Sequence, residues 1–189
     1  MPRSLRLQVP GATYHVTMRG VDSCAIVSDD SDFQTLHLLL GITLTRHAWR
    51  CTAYCLMTTH FHLMVETPNP DLDRGMQYLA GLYAQSFNRR HRRTGHLFGE
   101  RYYSAILEKE SHHLETIRYI ALNPVRAGIC TAPEDWPWSN YAAAIGQVPA
   151  DSLVATSDLL ALFAPDERTA RRQLREFVWP ALLTGSGPG

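Results

Sequence analysis

The 189-residue chain contains no run of eighteen or more apolar residues, which excludes a helix that crosses a bilayer. Net charge is missing as well. Eighteen Lys and Arg balance eighteen Asp and Glu, so the molecule as a whole exerts no bulk attraction on a polyanion. Cysteine is scarce, and Cys24, Cys51, Cys55 and Cys130 form no CxxC pair. That spacing argues against a zinc knuckle or a disulfide framework and favours buried free thiols. The opening Met-Pro-Arg-Ser-Leu-Arg lacks the continuous apolar stretch of a secretory signal, so a cytoplasmic location is expected. No internal repeat occurs, and the only low-complexity stretch is the Gly/Ser/Pro tail at 184–189, for which disorder is expected.

What is present suits a single globular core with a C-terminal appendage. Residues 12–19 alternate, with Tyr14, Val16 and Met18 on one face and Thr13, His15, Thr17 and Arg19 on the other, the pattern of a half-buried strand. After the N-cap cluster Asp29-Asp30-Ser31, Phe33, Leu36, Leu40 and Leu44 recur at helical spacing. Two strands follow, at about 49–58 and 60–67, joined tightly around Thr58-Thr59. Pro70-Asp71 opens a second helix striped by Leu72, Met76, Leu79, Tyr83 and Phe87, and a strand at about 101–109 closes the unit. The order β-α-β-β-α-β predicts an α+β, ferredoxin-like (RRM-like) sheet. A further helix runs from about Ser111 to Asn123, where Pro124 is expected to end it. Two short helical patterns, 157–163 and 166–179, read as a C-terminal extension. The expected organisation is a domain over 1–146, a helical extension over 147–183 and the tail.

Chemistry concentrates in His60-Phe61-His62. Side chains two apart on a strand share a face, so two imidazoles project side by side while Phe61, Leu63 and Val65 anchor the backbone in a core. That pair suits a divalent metal and prompts a search for a third ligand and a nucleophile. On the helix at 111–123, Leu114, Ile117, Ile120 and Ala121 make the apolar side. Tyr119 falls about 200° from Ile117, so core packing does not account for it. Its phenol is a candidate nucleophile, and Asn123, one turn on, offers an amide oxygen that can ligate a metal. Local charge departs from the neutral balance: between 86 and 101, Arg89, Arg90, Arg92, Arg93 and Arg101 face only Glu100. With His96, Phe98, Tyr102 and Tyr103 they mix cations and aromatics as single-strand binders do, and Arg3 and Arg6 resemble a basic arm.

These strings resemble the REP-associated tyrosine transposases, relatives of the IS200-like insertion-sequence transposases within the HUH single-tyrosine group. The resemblance rests on Pro10-Gly11-Ala12-Thr13-Tyr14-His15-Val16, Arg19-Gly20, Ala53-Tyr54-Cys55-Leu56-Met57 and the stretch from His60 to Pro68. It continues through Gly95-His96-Leu97-Phe98, the stretch Arg118-Tyr119 to Ala127-Gly128, and Trp136-Pro137-Trp138-Ser139. It implies a catalytic domain that nicks single-stranded DNA beside hairpins such as REP-like palindromes. Tyr119 would attack, and His60, His62 and Asn123 would hold Mg²⁺ or Mn²⁺. Arg19 and Arg126 fall in matching strings and join the arginines above as DNA-binding candidates. Two positions depart from the family pattern: Val21 follows Arg19-Gly20 where Asn is usual, and Thr59 precedes His60 where Asn is common. Insertion-sequence relatives act as dimers and REP-associated members can be monomeric; a monomer is favoured here.

Other readings stay open at this stage. A His-x-His pair on a strand is often structural, His15 is expected to be a hydrogen-bonded sheet histidine, and Trp136 and Trp138 are expected to be packing anchors. The alternative function is a domesticated hairpin-binding regulator that does not cut. A metal hydrolase of another class is a third reading, but the chain is short for a barrel.

Overall fold

The computed structural model describes residues 8–99 and 101–179. Arg3, Arg6 and the tail at 184–189 lie outside the described residues. The first strand, β1, spans Ala12–Arg19 and buries Tyr14, Val16 and Met18, as its alternation requires. The helix α1 (Asp30–His47) begins where Asp29 accepts a hydrogen bond from the Asp32 amide, and it ends at Ala48 in the left-handed region. The strands β2 (Arg50–Leu56) and β3 (His60–Thr67) form a hairpin closed by the Met57 amide donating to the His60 carbonyl. The helix α2 (Leu72–Arg90) returns along the sheet to the short strand β4 (Tyr103–Ile106).

The sheet order is β2-β3-β1-β4 with every neighbouring pair antiparallel, which puts β1 and β3 in the centre. One face carries α1 and α2. Tyr14, Val16, Phe61, Leu63 and Val65 pack there with Leu36, Leu40, Met76 and Tyr83. Gly75 lets the two layers meet, because a Cβ there would lie 2.3 Å from the Trp49 ring.

The other face carries α3 (Glu110–Arg126), whose Ile117, Ile120, Ala121 and Leu122 are buried. The helix does not stop at Asn123. It runs through Pro124 for another turn, with the Asn123 carbonyl accepting from the Ala127 amide at 3.0 Å. Pro124 removes a single donor, and the local bias against a helical residue before proline loses to the burial of Asn123 and Pro124. The strand expected over 101–109 is likewise shorter, because it pairs with β1 only from Tyr14 to Thr17.

Residues beyond Gly128 complete both the second core and the sheet edge. Leu56 donates its amide to the Trp138 carbonyl, and Trp136 Nε1 donates to the Leu56 carbonyl. Trp138 stacks on Phe33 with ring centroids 4.7 Å apart, so both tryptophans anchor packing. The Asn140 side chain accepts from the Tyr54 amide and donates to the Thr52 carbonyl, and the Ala155 amide donates to the Cys51 carbonyl. The outer edge of β2 is thereby covered. Three helices follow: α4 (Tyr141–Ala144), α5 (Thr156–Ala161) and α6 (Glu167–Val178). Ala170, Leu174 and Val178, four apart, turn one face of α6 into the core beneath α3. Cys51 and Cys55 are buried thiols, as expected.

Candidate active site

Alternation along β3 sends Phe61, Leu63 and Val65 towards α1 and α2, and therefore His60 and His62 towards α3. The antiparallel register sets Thr17 opposite His62 and Arg19 opposite His60, so the polar face of β1 lines the same surface. The two imidazoles stand edge to face with centroids 4.8 Å apart. Opposite them, α3 presents Asn123 and Tyr119, one turn apart. His60 Nε2 lies 3.1 Å from Asn123 Oδ1. The Tyr119 ring lies 5.3 Å from that of His62 and 5.7 Å from that of His15. Arg126 sets its guanidinium carbon 5.4 Å from the centre of the Tyr119 ring. One cluster therefore gathers all four residues that sequence singled out for chemistry.

The supporting hydrogen bonds orient both rings. His62 Nδ1 lies 2.9 Å from Thr17 Oγ1 and 3.2 Å from His15 Nε2. Thr59 Oγ1 lies 3.0 Å from His60 Nδ1, so the residue that departs from the family pattern still gives that nitrogen a polar partner. His15 meets its expectation as a hydrogen-bonded sheet histidine. Burial pushes the His62 imidazole down to about 2, with His60, His15 and Arg19 adding to the effect. Burial alone takes His15 to about 4, and burial followed by the Arg19 charge lowers His60 against its bond with Asn123. All three rings are neutral near pH 7, the form that offers a lone pair to a cation.

One atom is left over. His62 Nε2 is buried without a hydrogen-bond partner among the described residues. Nδ1 is already engaged by Thr17 and His15, so Nε2 is the ring nitrogen left to ligate, the arrangement expected of a histidine oriented by its second nitrogen. The 3.1 Å between His60 Nε2 and Asn123 Oδ1 matches adjacent ligands on an ion with bonds of about 2.2 Å. Among the described residues no group of three or more His, Cys, Asp or Glu converges to hold a metal, and the donors that would meet an ion here are two imidazoles and the Asn123 amide oxygen. That set fits Mg²⁺ or Mn²⁺, with nitrogen ligands favouring Mn²⁺.

The proposed DNA contacts divide. Arg19, at the end of β1, is exposed beside His60 and forms no ion pair among the described residues, and Arg101 and His96 line a cavity with it. Arg89 and Arg92 are exposed and also unpaired among the described residues. Arg90 is committed elsewhere: it bonds Asp29 at 2.7 Å and the buried Asp32 at 2.6 Å. Arg93 lies over the Phe87 ring. The α2 terminus that carries this run reaches the end of the sheet where β1 stops and β3 starts, since Arg90 meets Asp29 and the Tyr83 hydroxyl donates to the Ile26 carbonyl. The sequence offered a partial signal for Thr17 and His15, which share the polar face of β1 with Arg19. Their contact with His62 depends on strand register, which alternation alone does not set.

The family model for IS200-like transposases matches residues 8–123, a span that ends on the proposed third ligand. The chain belongs to that family. It is similar to a Haemophilus influenzae (strain ATCC 51907 / DSM 11121 / KW20 / Rd) protein assigned to the REP-associated tyrosine transposases. The two are 22% identical over 110 residues, which cover 52% of this chain and 62% of the relative. The chain thus spans less than two thirds of that relative. A solved REP-associated tyrosine transposase bound to a REP hairpin has a TM-score of 0.66 with 16% identity, over 88% of this chain and 93% of the other. At that identity the likeness is one of fold. No helix among the described residues is long and apolar enough to cross a membrane.

Proposed function

We propose that this IS200-like transposase cuts and rejoins single-stranded, hairpin-bearing DNA through Tyr119, with Mg²⁺ or Mn²⁺ held by His60, His62 and Asn123. The observation that carries the reading is the Tyr119 ring 5.3 Å from His62, whose buried Nε2 has no other partner among the described residues. The β-α-β-β-α-β order and the 2-3-1-4 sheet support a ferredoxin-like catalytic domain with the tyrosine helix added. A hairpin as substrate is supported by the fold shared with a transposase solved on a REP hairpin.

A phosphodiester resists nucleophiles because of its charge. A cation in this site would withdraw charge from a non-bridging oxygen and orient the phosphate. The chain supplies the remaining chemistry. Arg19 adds positive charge beside His60, where the strand must arrive. Arg126 packs against the Tyr119 ring and limits where the phenol can point. The Tyr119 oxygen bonds to phosphorus as the bond from phosphorus to the 3′-oxygen breaks, and the phenol proton ends on that oxygen. The products are a 5′-phosphotyrosine and a free 3′-hydroxyl. Because the bond is exchanged rather than hydrolysed, a 3′-hydroxyl can reverse the step and join strands without ATP.

The test is a labelled single-stranded hairpin incubated with Mn²⁺, followed by denaturing electrophoresis. A covalent adduct should form with the natural chain and vanish in Tyr119→Phe, and it should also vanish in His60→Ala and His62→Ala while much of the DNA affinity survives. Hairpin binding without any adduct points to a non-cleaving regulator. Full cutting in either histidine variant refutes the assigned ligands.

A further inference from the structure

Along the sheet from the metal-ligand candidates lies a cavity that shares Thr17 and Arg19 with the cutting site and whose other walls the cutting chemistry does not use. In register, His62 on β3 faces Thr17 on β1, and Thr17 faces Tyr103 on β4, so Tyr103 stands about 10 Å from His62 on the same face. Tyr103 forms one wall of a cavity of about 700 Å³, a volume usual for ligand clefts. The other walls are the end of β1, the turn Val21–Ser23 and the loop that carries His96 and Arg101. The loop is fixed across β1 by a bridge between Gly20 and Phe98 and by the Val21 amide donating to the Leu97 carbonyl at 3.0 Å.

Three observations say what the cavity takes. First, Arg19 and Arg101 line it without an ion pair among the described residues, two cations open to an anion, with the His96 ring beside them. Second, Tyr103 is 63% exposed, a broad ring left without apolar cover beside those cations. Third, the turn holds two consecutive non-glycine residues in the left-handed region, Asp22 at φ 49° and Ser23 at φ 58°. Strain of that kind persists where the surroundings enforce it and is concentrated at binding sites. The turn holds Asp22, the one carboxylate among the described residues that line the cavity, in a lining that also contains Arg19, Arg101, Phe98 and Tyr103.

We infer that this cavity binds one unpaired nucleotide flanking the scissile phosphate and that Asp22 selects its base. The inference rests on the proposed action on single-stranded DNA. Arg19 and Arg101 take the phosphates, Tyr103 stacks on the base, and the Asp22 carboxylate accepts from its Watson–Crick edge. Guanine is the base selected. Its N1–H and N2–H₂ are two adjacent donors that match the two oxygens of a carboxylate, whereas each other base sets an acceptor beside its donor.

The test uses the full chain carrying Tyr119→Phe, so that binding is read without cutting, and a hairpin whose single-stranded flanks carry each base in turn at each position. At one flank position guanine should bind roughly ten- to a hundred-fold more tightly than thymine. Asp22→Asn keeps the shape and tolerates the left-handed backbone, and it should remove that preference without weakening a hairpin that has no flanks. Tyr103→Ala should lower affinity for the flanked hairpin, with Tyr103→Phe restoring it. Unchanged base preference in Asp22→Asn, or no preference at any position, overturns the inference while leaving the hairpin reading intact. Absence of hairpin binding altogether overturns both.

Discussion

Single side chains in the site divide into those that would touch the reacting groups and those that hold them. Thr17 belongs to the second kind: its hydroxyl is 2.9 Å from His62 Nδ1 and holds the ring in its orientation. Thr17→Val should weaken Mn²⁺ binding about ten- to a hundred-fold, read by paramagnetic resonance titration, with Thr17→Ser close to the natural chain. Equal metal affinity in all three would deny Thr17 that role. Arg90 makes a contrast with its neighbours in sequence. It holds the Asp29 carboxyl below its usual range through their hydrogen bond and bonds the buried Asp32. Arg90→Ala is therefore expected to lower thermal stability and leave hairpin affinity near normal, whereas Arg89→Ala should weaken DNA binding in a salt-dependent way. A run of arginines in the sequence does not distinguish the two, because the acids that occupy Arg90 sit about sixty residues earlier, at the cap and first turn of α1.

Among the elements, α3 matters most, since it carries both Tyr119 and Asn123 and is supported from below by α6. Leu174 is fully buried in that support. Leu174→Ala is expected to cost about 2–5 kcal/mol in urea unfolding and to reduce adduct formation, because the tyrosine helix loses part of its seat. A cost under 1 kcal/mol would mean that α6 does not brace the site. Much of this layout was legible in the sequence: β1 and β3 occupy the expected residues, β1 because its clean alternation leaves little freedom and β3 because it is a short apolar run buried on both faces. The end of α3 was not legible. Local stereochemistry before Pro124 argued for a stop, and only tertiary burial of Asn123 and Pro124 explains why the helix continues. The role of 157–179 was equally hidden, since an amphipathic helix does not announce which surface it covers.

At the scale of the whole molecule, the buried neutral histidines tie stability to pH. His15 and His62 titrate below the ordinary imidazole range in the folded state, so the unfolded chain takes up protons that the folded one refuses. Stability should be flat above about pH 7 and fall as pH drops from about 6.5 towards 4. The carboxyl of Asp151 extends the loss further into acid. Burial raises it, but bonds from His37, Tyr54 and the Leu153 amide together leave it below its usual value. Urea midpoints between pH 8 and 4.5 measure the slope, and His15→Gln should flatten it. An unchanged slope would mean that His15 protonates freely when folded.

The cover over the outer edge of β2 gives the molecule a built-in chemical clock. Cys51 and Cys55 lie beneath it, and burial drives both thiols up, Cys51 to about 12, while Cys24 is exposed. A thiol dye should label Cys24 at once, the partly exposed Cys130 next, and Cys51 and Cys55 only when residues 136–155 peel away. The delay between the first and last phases therefore reports, in unmodified protein, how often the C-terminal segment lets go, and whether DNA bound beside α3 slows its release.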